Sequence, residues 1–335
     1  MSDDKLKIAF YWAASCGGCE VSVLDIDEKI LDVVAIADIV MWPVAMDTKY
    51  SDIRAMDDES IDITFFNGAI RNDENLEMAE LFRKKSKTLI AFGACAVGGG
   101  IVGLGNLYSP EEILKEAYID SVSTDNPEKI IPDPHNRFPE GDGPLPSLEK
   151  WTKSLDQVVK VDYYVPGCPP QANQVLEAVE AIASGNLPPP GSVIGSQICL
   201  CEECDRKPAE GEFKKIEKLR DRLDEAPDPD KCLLEQGFIC MGPATRAGCG
   251  AKCIDANVPC TGCSGPGPNI VDQGTKMMSA LASILQIDGE EKKSLEDVEK
   301  ELAKVRDPVG TFYRYFLAKS ILQRKRNDYA RSDND

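Results

Sequence analysis

Two cysteines separated by two glycines stand where a metal centre could be bound. Cys16 and Cys19 belong to the segment SCGGCE, between an apolar strand-like run at residues 7–12 and a helix-like run at residues 21–34. The glycines leave room for bulky inorganic sulfur and leave backbone N–H groups free to point at it. The spacing therefore suits an iron-sulfur cluster, and it also suits zinc.

Two later cysteines stand in turns of the same kind. Cys95 lies in GACAVGGG after the strand-like residues 88–92, and Cys168 lies in PGCPP after residues 161–165. The turns that leave the carboxyl ends of parallel strands meet at one edge of a sheet. Zinc fits three distant loops less well, because structural zinc sites are usually built from two local ligand pairs. The sequence predicts one cluster site with four thiolates, Cys16, Cys19, Cys95 and Cys168.

Charge and cysteine content narrow the class of protein. The 335 residues carry a formal charge of -19, which disfavours nucleic acid or an anionic membrane as a partner. The N-terminus shows neither a twin-arginine run nor an apolar signal core, and no stretch approaches the ~20 apolar residues that span a bilayer. We therefore expect a cytoplasmic protein. Thiols stay reduced in that compartment, so the 13 cysteines are better explained as metal ligands than as disulfides.

Strand and helix patterns alternate from residue 7 to about residue 185. This alternation predicts an α/β fold, a doubly wound parallel sheet that resembles flavodoxin in outline. The clearest helix covers residues 171–184, with Pro170 at its start and Gly185 at its end. The predicted strands are residues 7–12, 37–42, 61–66, 88–92 and 161–165.

The chain changes character after the segment LPPPG at residues 187–191. Nine of the 13 cysteines fall between Cys199 and Cys263, where an apolar stripe at residues 212–225 predicts one packing helix. Buried clusters can stabilise such a loop-rich segment by cross-linking it. Two ligand sets are predicted: Cys201, Cys204, Cys232 and Cys240, and Cys249, Cys253, Cys260 and Cys263. Cys199 is then the spare, although only the Cys-x-x-Cys spacing favours Cys201 over it.

The remaining residues give weaker signals. From residue 269 onward the pattern is helical, with a capping box from Ser294 to Asp297. His135, the one histidine, is expected to be a plain loop residue. The predicted domains are residues 1–190 with the α/β fold, residues 191–270 as a loop-rich iron-sulfur domain, and residues 271–335 as a helical tail.

These motifs together resemble a known family. The order CGGC, GACAVGG, PGCPP and a cysteine-dense segment ending in PCTGC is similar to the small subunit of nickel-iron hydrogenases. The chain most resembles the cytoplasmic archaeal type, the gamma subunit of the methyl-viologen-reducing, F420-non-reducing enzyme. The resemblance covers about residues 7–269.

The resemblance implies a chain of three clusters and no nickel on this chain. The large subunit would hold nickel and iron and pack against the proximal face, where Glu20 is a candidate contact. No catalytic residue is expected here. Electrons would leave to an iron-sulfur adaptor (delta) subunit and then to heterodisulfide reductase. The implied clusters are proximal (Cys16, Cys19, Cys95, Cys168), medial (Cys249, Cys253, Cys260, Cys263) and distal (Cys201, Cys204, Cys232, Cys240).

The sequence departs from periplasmic members of that family in two places. Cys201 stands where those members have a histidine, and Cys253 offers a fourth medial thiolate. Both departures favour three 4Fe-4S clusters, with a 3Fe-4S medial cluster as the alternative.

Three other functions remain open. A deazaflavin-reducing hydrogenase or a sulfhydrogenase would use the same relay with another electron acceptor. The cluster subunit of respiratory complex I resembles only the N-terminal part and typically carries adjacent cysteines. A zinc-containing scaffold without enzymatic activity is the alternative from another class.

Overall fold

The computed structural model describes residues 5–134, 145–208, 213–285 and 294–323. Its strands, in chain order, are β1 (Leu6–Trp12), β2 (Ala37–Met41), β3 (Ile61–Asn67), β4 (Ile70–Asn72), β5 (Ser86–Phe92), β6 (Leu148–Lys153) and β7 (Tyr163–Val165). Five of them form a parallel sheet in the order β2-β1-β3-β5-β7, whereas β4 and β6 form an antiparallel pair. This is the strand order of a flavodoxin-like doubly wound sheet.

Helices follow most of the strands and also make up the C-terminal part. They are α1 (Gly18–Leu24), α2 (Ile30–Ile36), α3 (Tyr50–Ala55), α4 (Asp73–Lys85), α5 (Gly93–Gly98), α6 (Pro110–Lys115), α7 (Ala172–Ala183), α8 (Lys252–Asp255), α9 (Gln273–Ile284), α10 (Leu295–Leu302) and α11 (Pro308–Phe312). Short 3-10 turns occur at Asp27–Lys29, Ile101–Leu107, Leu155–Gln157, Leu200–Glu202, Gly242–Ala244 and Leu317–Lys319, and a π turn at Glu116–Asp120.

Both faces of the parallel sheet are covered, which explains its nearly continuous apolar strands. Tyr11 of β1 packs in the apolar cluster that contains Phe82 of α4, with ring centroids 5.0 Å apart. Its neighbour Phe10 lies in a second cluster with Val23 of α1 and Val175 of α7. Successive side chains of a strand point to opposite faces, so one strand supplies both cores.

A third apolar cluster holds the cysteine-rich segment against the C-terminal helices. It brings Leu234 and Phe238 together with Met277 of α9 and Phe312 of α11. The segment therefore has an apolar core of its own, distinct from the two that cover the sheet. Where the predicted domains begin and end stays a prediction.

Most of the predicted elements are confirmed. All five predicted strands are present, and their ends differ from the prediction by no more than two residues. The predicted helix at residues 171–184 is α7. The capping box at Ser294 is also confirmed, since its hydroxyl accepts a hydrogen bond from the Asp297 N–H at 3.2 Å.

Two predicted helices are wrong. Residues 21–34 are not one helix, because α1 ends at Leu24 and Asp27 adopts a left-handed backbone (φ 53°) before α2 begins. Residues 213–225, the described part of the predicted helix 212–225, form turns instead. Their backbone groups bond to distant partners: Ile216 N–H donates to Ile284 O at 3.0 Å, and Arg220 N–H donates to Gly237 O at 3.0 Å. Tertiary pairing has replaced the local helix.

Two further points concern the ranges that the structure describes. No helix within them combines the length and the apolar character needed to cross a membrane. His135 lies outside the described residues.

Candidate metal centres

The Cys16–Cys19 turn connects β1 to α1 and is shaped by Gly17. Gly17 has a left-handed backbone (φ 80°), and a Cβ there would lie 2.7 Å from Cζ2 of the Trp12 ring. The Gly18 N–H donates to the Cys16 Sγ at 3.4 Å. The turn thus needs glycine for its conformation, and the Gly18 amide already points at sulfur.

The structure brings the four predicted proximal thiols together at one edge of the sheet. Burial raises the pKa of the Cys19 thiol, and the nearby thiols of Cys95, Cys168 and Cys16 raise it further. Burial likewise raises the pKa of the Cys95 thiol to about 12, with added contributions from Cys168 and Cys16. Each of these four thiols therefore lies within electrostatic reach of the other three.

Glycines keep side chains away from these thiols. A Cβ on Gly93 would collide with the Cys19 Sγ, and a Cβ on Gly100 would collide with the Cys95 Sγ. The Ala94 N–H donates to Gly167 O at 2.6 Å, which ties the Cys95 loop to the Cys168 loop. At Gly93 and Gly100, therefore, no side chain occupies the space beside the Cys19 and Cys95 thiols.

The second predicted set also converges. Burial raises the pKa of the Cys249 thiol, and the thiols of Cys263 and Cys253 add to that increase. Burial also raises the pKa of the Cys260 thiol, with a smaller contribution from Cys263. The Gly262 N–H donates to Cys260 Sγ at 3.4 Å, as Gly18 does to Cys16.

The third predicted set surrounds a cavity of about 280 Å³. Its wall is mainly apolar and includes Leu233 and Leu234. At Gly242, a Cβ would lie 3.2 Å from Cys201 Sγ and 3.6 Å from Cys240 Sγ. The thiols that line the cavity are Cys201, Cys204, Cys232 and Cys240.

Cys199 does not line that cavity, although it touches Cys201. Its Sγ donates to Gly242 O at 3.2 Å. A hydrogen bond between the two thiols lowers the pKa of Cys199 and raises that of Cys201. The placement agrees with Cys199 as the spare thiol.

The second thiol group is adjacent to each of the other two. A hydrogen bond from the Cys168 backbone reaches the Cys263 thiol and lowers its pKa, against a larger increase from burial. At the other end, burial raises the pKa of Cys240 to about 11, while hydrogen bonds from the Gly242 and Cys260 backbones lower it. The set that contains Cys260 and Cys263 therefore adjoins both of the other sets.

These donors fit iron-sulfur clusters in chemistry and in space. All 13 cysteines are free thiols, and glycines stand where side chains would block the approach to three of the thiols discussed above. Across the described ranges, no three His, Cys, Asp or Glu side chains are arranged as the ligands of one metal ion. The assignment of each thiol as a ligand stays a prediction.

Glu20 does not face outward as the sequence suggested. It is 1% exposed, accepts a hydrogen bond from the Trp42 indole N–H, and accepts another from Asn67 Nδ2 at 3.3 Å. Burial raises the pKa of its carboxyl group, whereas the two hydrogen bonds lower it. Glu20 therefore links α1 to the end of β3 and to Trp42, which follows β2.

Sequence reasoning missed Tyr315, which lies beside the thiol groups. Its hydroxyl is 3.2 Å from the Thr261 Oγ1, within the loop that carries Cys260 and Cys263. The sequence shows only an aromatic run at residues 312–316, which by itself predicts packing. No local signal distinguishes Tyr315 from its neighbours.

Comparison with known proteins gives similar sequences along almost the whole chain. The model of the family described as NADH ubiquinone oxidoreductase, 20 Kd subunit, matches residues 16–182. The iron-sulfur subunit of the F420-non-reducing hydrogenase of Archaeoglobus profundus is 42% identical, over 96% of this chain and 98% of its own length. The corresponding subunit of the F420-non-reducing hydrogenase of Methanothermobacter thermautotrophicus is 41% identical, over 96% and 97%.

A solved structure gives the same fold. The recombinant NiFeSe hydrogenase from Desulfovibrio vulgaris Hildenborough aligns with a TM-score of 0.51 and 15% identity, over 79% of this chain and 95% of that chain. At this identity the likeness concerns the fold alone.

Proposed function

Because the chain belongs to the iron-sulfur subunit family of F420-non-reducing hydrogenases, we propose that it is the electron-relay subunit of a nickel-iron hydrogenase. It is a subunit of an oxidoreductase complex, as its relatives are. The proposal adds that electrons from dihydrogen cross this chain through three 4Fe-4S clusters.

The contacts of the second thiol group with both of the others carry this proposal. Cys168 contacts Cys263 at one junction, and Cys240 contacts the Cys260 backbone at the other. Iron-sulfur clusters would supply one-electron transfer at these positions. The chain's own residues would bind the clusters, space them, and surround them with apolar side chains. The proposed ligands are the proximal, medial and distal sets defined above.

The large subunit is the proposed partner at the proximal end. Cys16 is exposed, and α1, which follows it, presents Val21 and Leu24 to solvent at 57% and 52% exposure. Exposed apolar residues three positions apart on one helix, as Val21 and Leu24 are, share a face, and such a face is typical of a protein interface. The nickel-iron site would lie on that partner.

The proposed electron acceptor lies at the distal end. As the resemblance of the sequence motifs implies, the proposed acceptor is an iron-sulfur adaptor (delta) subunit that passes electrons to heterodisulfide reductase. The sulfhydrogenase 2 subunit delta of Pyrococcus furiosus is 27% identical over 78% of this chain, well below the 42% of the F420-non-reducing relative. This difference favours the F420-non-reducing type over a sulfhydrogenase.

Metal analysis of the native complex, purified without oxygen, tests the relay. After subtraction of the partners' share, we expect about twelve iron and twelve sulfide in this subunit, with no zinc. EPR of the dithionite-reduced complex should show interacting reduced clusters. About four iron together with zinc would overturn the relay and would favour a structural role for the cysteine-rich segment.

A further inference from the structure

Tyr315 connects the two loops that carry proximal and medial thiols. Its backbone O accepts a hydrogen bond from the Gly100 N–H at 3.0 Å, and Gly100 ends the loop of Cys95. Its hydroxyl lies 3.2 Å from the Thr261 Oγ1, and Thr261 follows Cys260 directly. One half-buried residue therefore contacts both loops.

The hydroxyl of Tyr315 also lies close to thiols of both groups. Burial raises the pKa of this phenol, the bond with Thr261 lowers it, and the Cys263 and Cys168 thiols raise it. Cys263 and Cys168 are the residues through which the medial and proximal groups touch. The hydroxyl thus stands at the junction that an electron would cross in the relay proposed above.

We propose that the Tyr315 hydroxyl, held by Thr261, stabilises added negative charge at the junction between the proximal and medial thiol groups. Hydrogen bonds and polar groups near cluster sulfurs are among the factors that set reduction potentials. When one electron arrives, the hydroxyl dipole can turn its proton toward the more negative group, and no bond forms or breaks. Tyr315 is a positioning residue in this inference, which rests on the relay function proposed above.

The chain offers a matched control two residues earlier. The Tyr313 hydroxyl lies 3.1 Å from the Thr275 Oγ1, so it forms the same kind of tyrosine–threonine pair. Burial raises the pKa of Tyr313, and the acidic neighbour that acts on it is Asp272 rather than a cysteine. Tyr313→Phe therefore removes an equivalent hydroxyl that faces no thiol group.

The test compares reduction potentials in the assembled complex. Tyr315→Phe, Thr261→Val and Tyr313→Phe are purified without oxygen, analysed for iron, and titrated with EPR detection. We expect full iron content and a lower midpoint potential of the proximal or medial cluster in Tyr315→Phe. Thr261→Val should shift the same potential in the same direction, and Tyr313→Phe should leave it unchanged. Pulsed EPR after exchange into D₂O should show one exchangeable proton lost in Tyr315→Phe and retained in Tyr313→Phe.

The other outcomes separate the two proposals. Wild-type potentials in a fully loaded Tyr315→Phe complex would overturn this inference and leave the relay intact. If Tyr315→Phe does not assemble, Thr261→Val decides, and an unchanged potential in that variant overturns the inference. A wild-type complex without iron at these cysteines would overturn the relay itself.

Discussion

At the scale of the residue, the predicted ligand set of the third thiol group depends on which of two touching thiols, Cys199 or Cys201, faces the cavity. Cys201 lines it beside Cys204 and Cys232, whereas Cys199 donates to the Gly242 carbonyl. Gly242 leaves room beside Cys201, because a Cβ at that position would lie 3.2 Å from the Cys201 Sγ. A single glycine and a single hydrogen bond thus place two cysteines that are only two residues apart in different surroundings.

Alanine variants of the two cysteines test this assignment. Cys201→Ala should lose the distal cluster, about four iron per subunit, because one of its four ligands is gone. Cys199→Ala should keep its iron and lose about 1 kcal/mol of stability with the hydrogen bond to Gly242. Iron analysis and EPR of both complexes provide the measurement. Loss of iron in Cys199→Ala alone would reverse the two roles.

At the scale of the element, the segment that follows α11 joins the two halves of the molecule. The Phe316 ring, 6% exposed, packs against Gly98 of α5 and against Gly265 in the cysteine-rich segment, where a Cβ would lie 2.5 Å from its Cζ. Gln157 Nε2 donates to Ala318 O at 3.0 Å in the same region. The segment therefore belongs to the core that positions the thiol groups.

Truncation of Phe316 tests this packing. Phe316→Ala should destabilise the subunit by about 3–5 kcal/mol, because it opens a cavity between two glycine surfaces that cannot fill it. The thermal unfolding midpoint should fall by on the order of 5 °C. Tyr108→Ala, at a site that is 55% exposed, is the control and should change the midpoint little. Equal midpoints for the two variants would show that the segment does not join the halves.

At the scale of the whole molecule, the surface is acidic overall but contains an exposed apolar region. The chain carries a formal charge of -19, yet α1, the helix that follows Cys16, exposes the aliphatic side chains of Val21 and Leu24. An acidic surface disfavours non-specific association by mutual repulsion. The apolar region near the first thiol group is where a partner would bury surface.

A charged substitution in that region tests the partner's position. Leu24→Asp should weaken binding to the large subunit by about 10- to 100-fold, since it removes an apolar contact and buries a charge. Val122→Asp introduces the same charge at another exposed aliphatic residue and should bind as the wild type does. Native mass spectrometry or titration calorimetry with the large subunit measures both. Equal affinities would move the interface away from α1.

Local patterns in the sequence determined the main fold and the groups of thiols. Apolar strands followed by turns that contain glycine and cysteine indicate where the strands of a parallel sheet end and where its turns meet. The proximity of residues such as Cys16 and Cys95 could therefore be predicted from the sequence. The capping box at Ser294 is equally local. These features could be predicted because each depends on residues that are close in sequence, combined with the geometry of a parallel sheet.

Only the tertiary structure decided the features that depend on distant contacts. Residues 213–225 do not form a helix, because backbone groups such as the Ile216 N–H bond to distant residues such as Ile284. Glu20 can be buried because Trp42 and Asn67 donate hydrogen bonds to its carboxylate. Tyr315 reaches Thr261 across 54 residues of chain. A local sequence pattern cannot predict such pairs, because neither residue has a distinctive neighbourhood in the sequence. The favourable free energy arises only when the two residues come into contact in the folded chain.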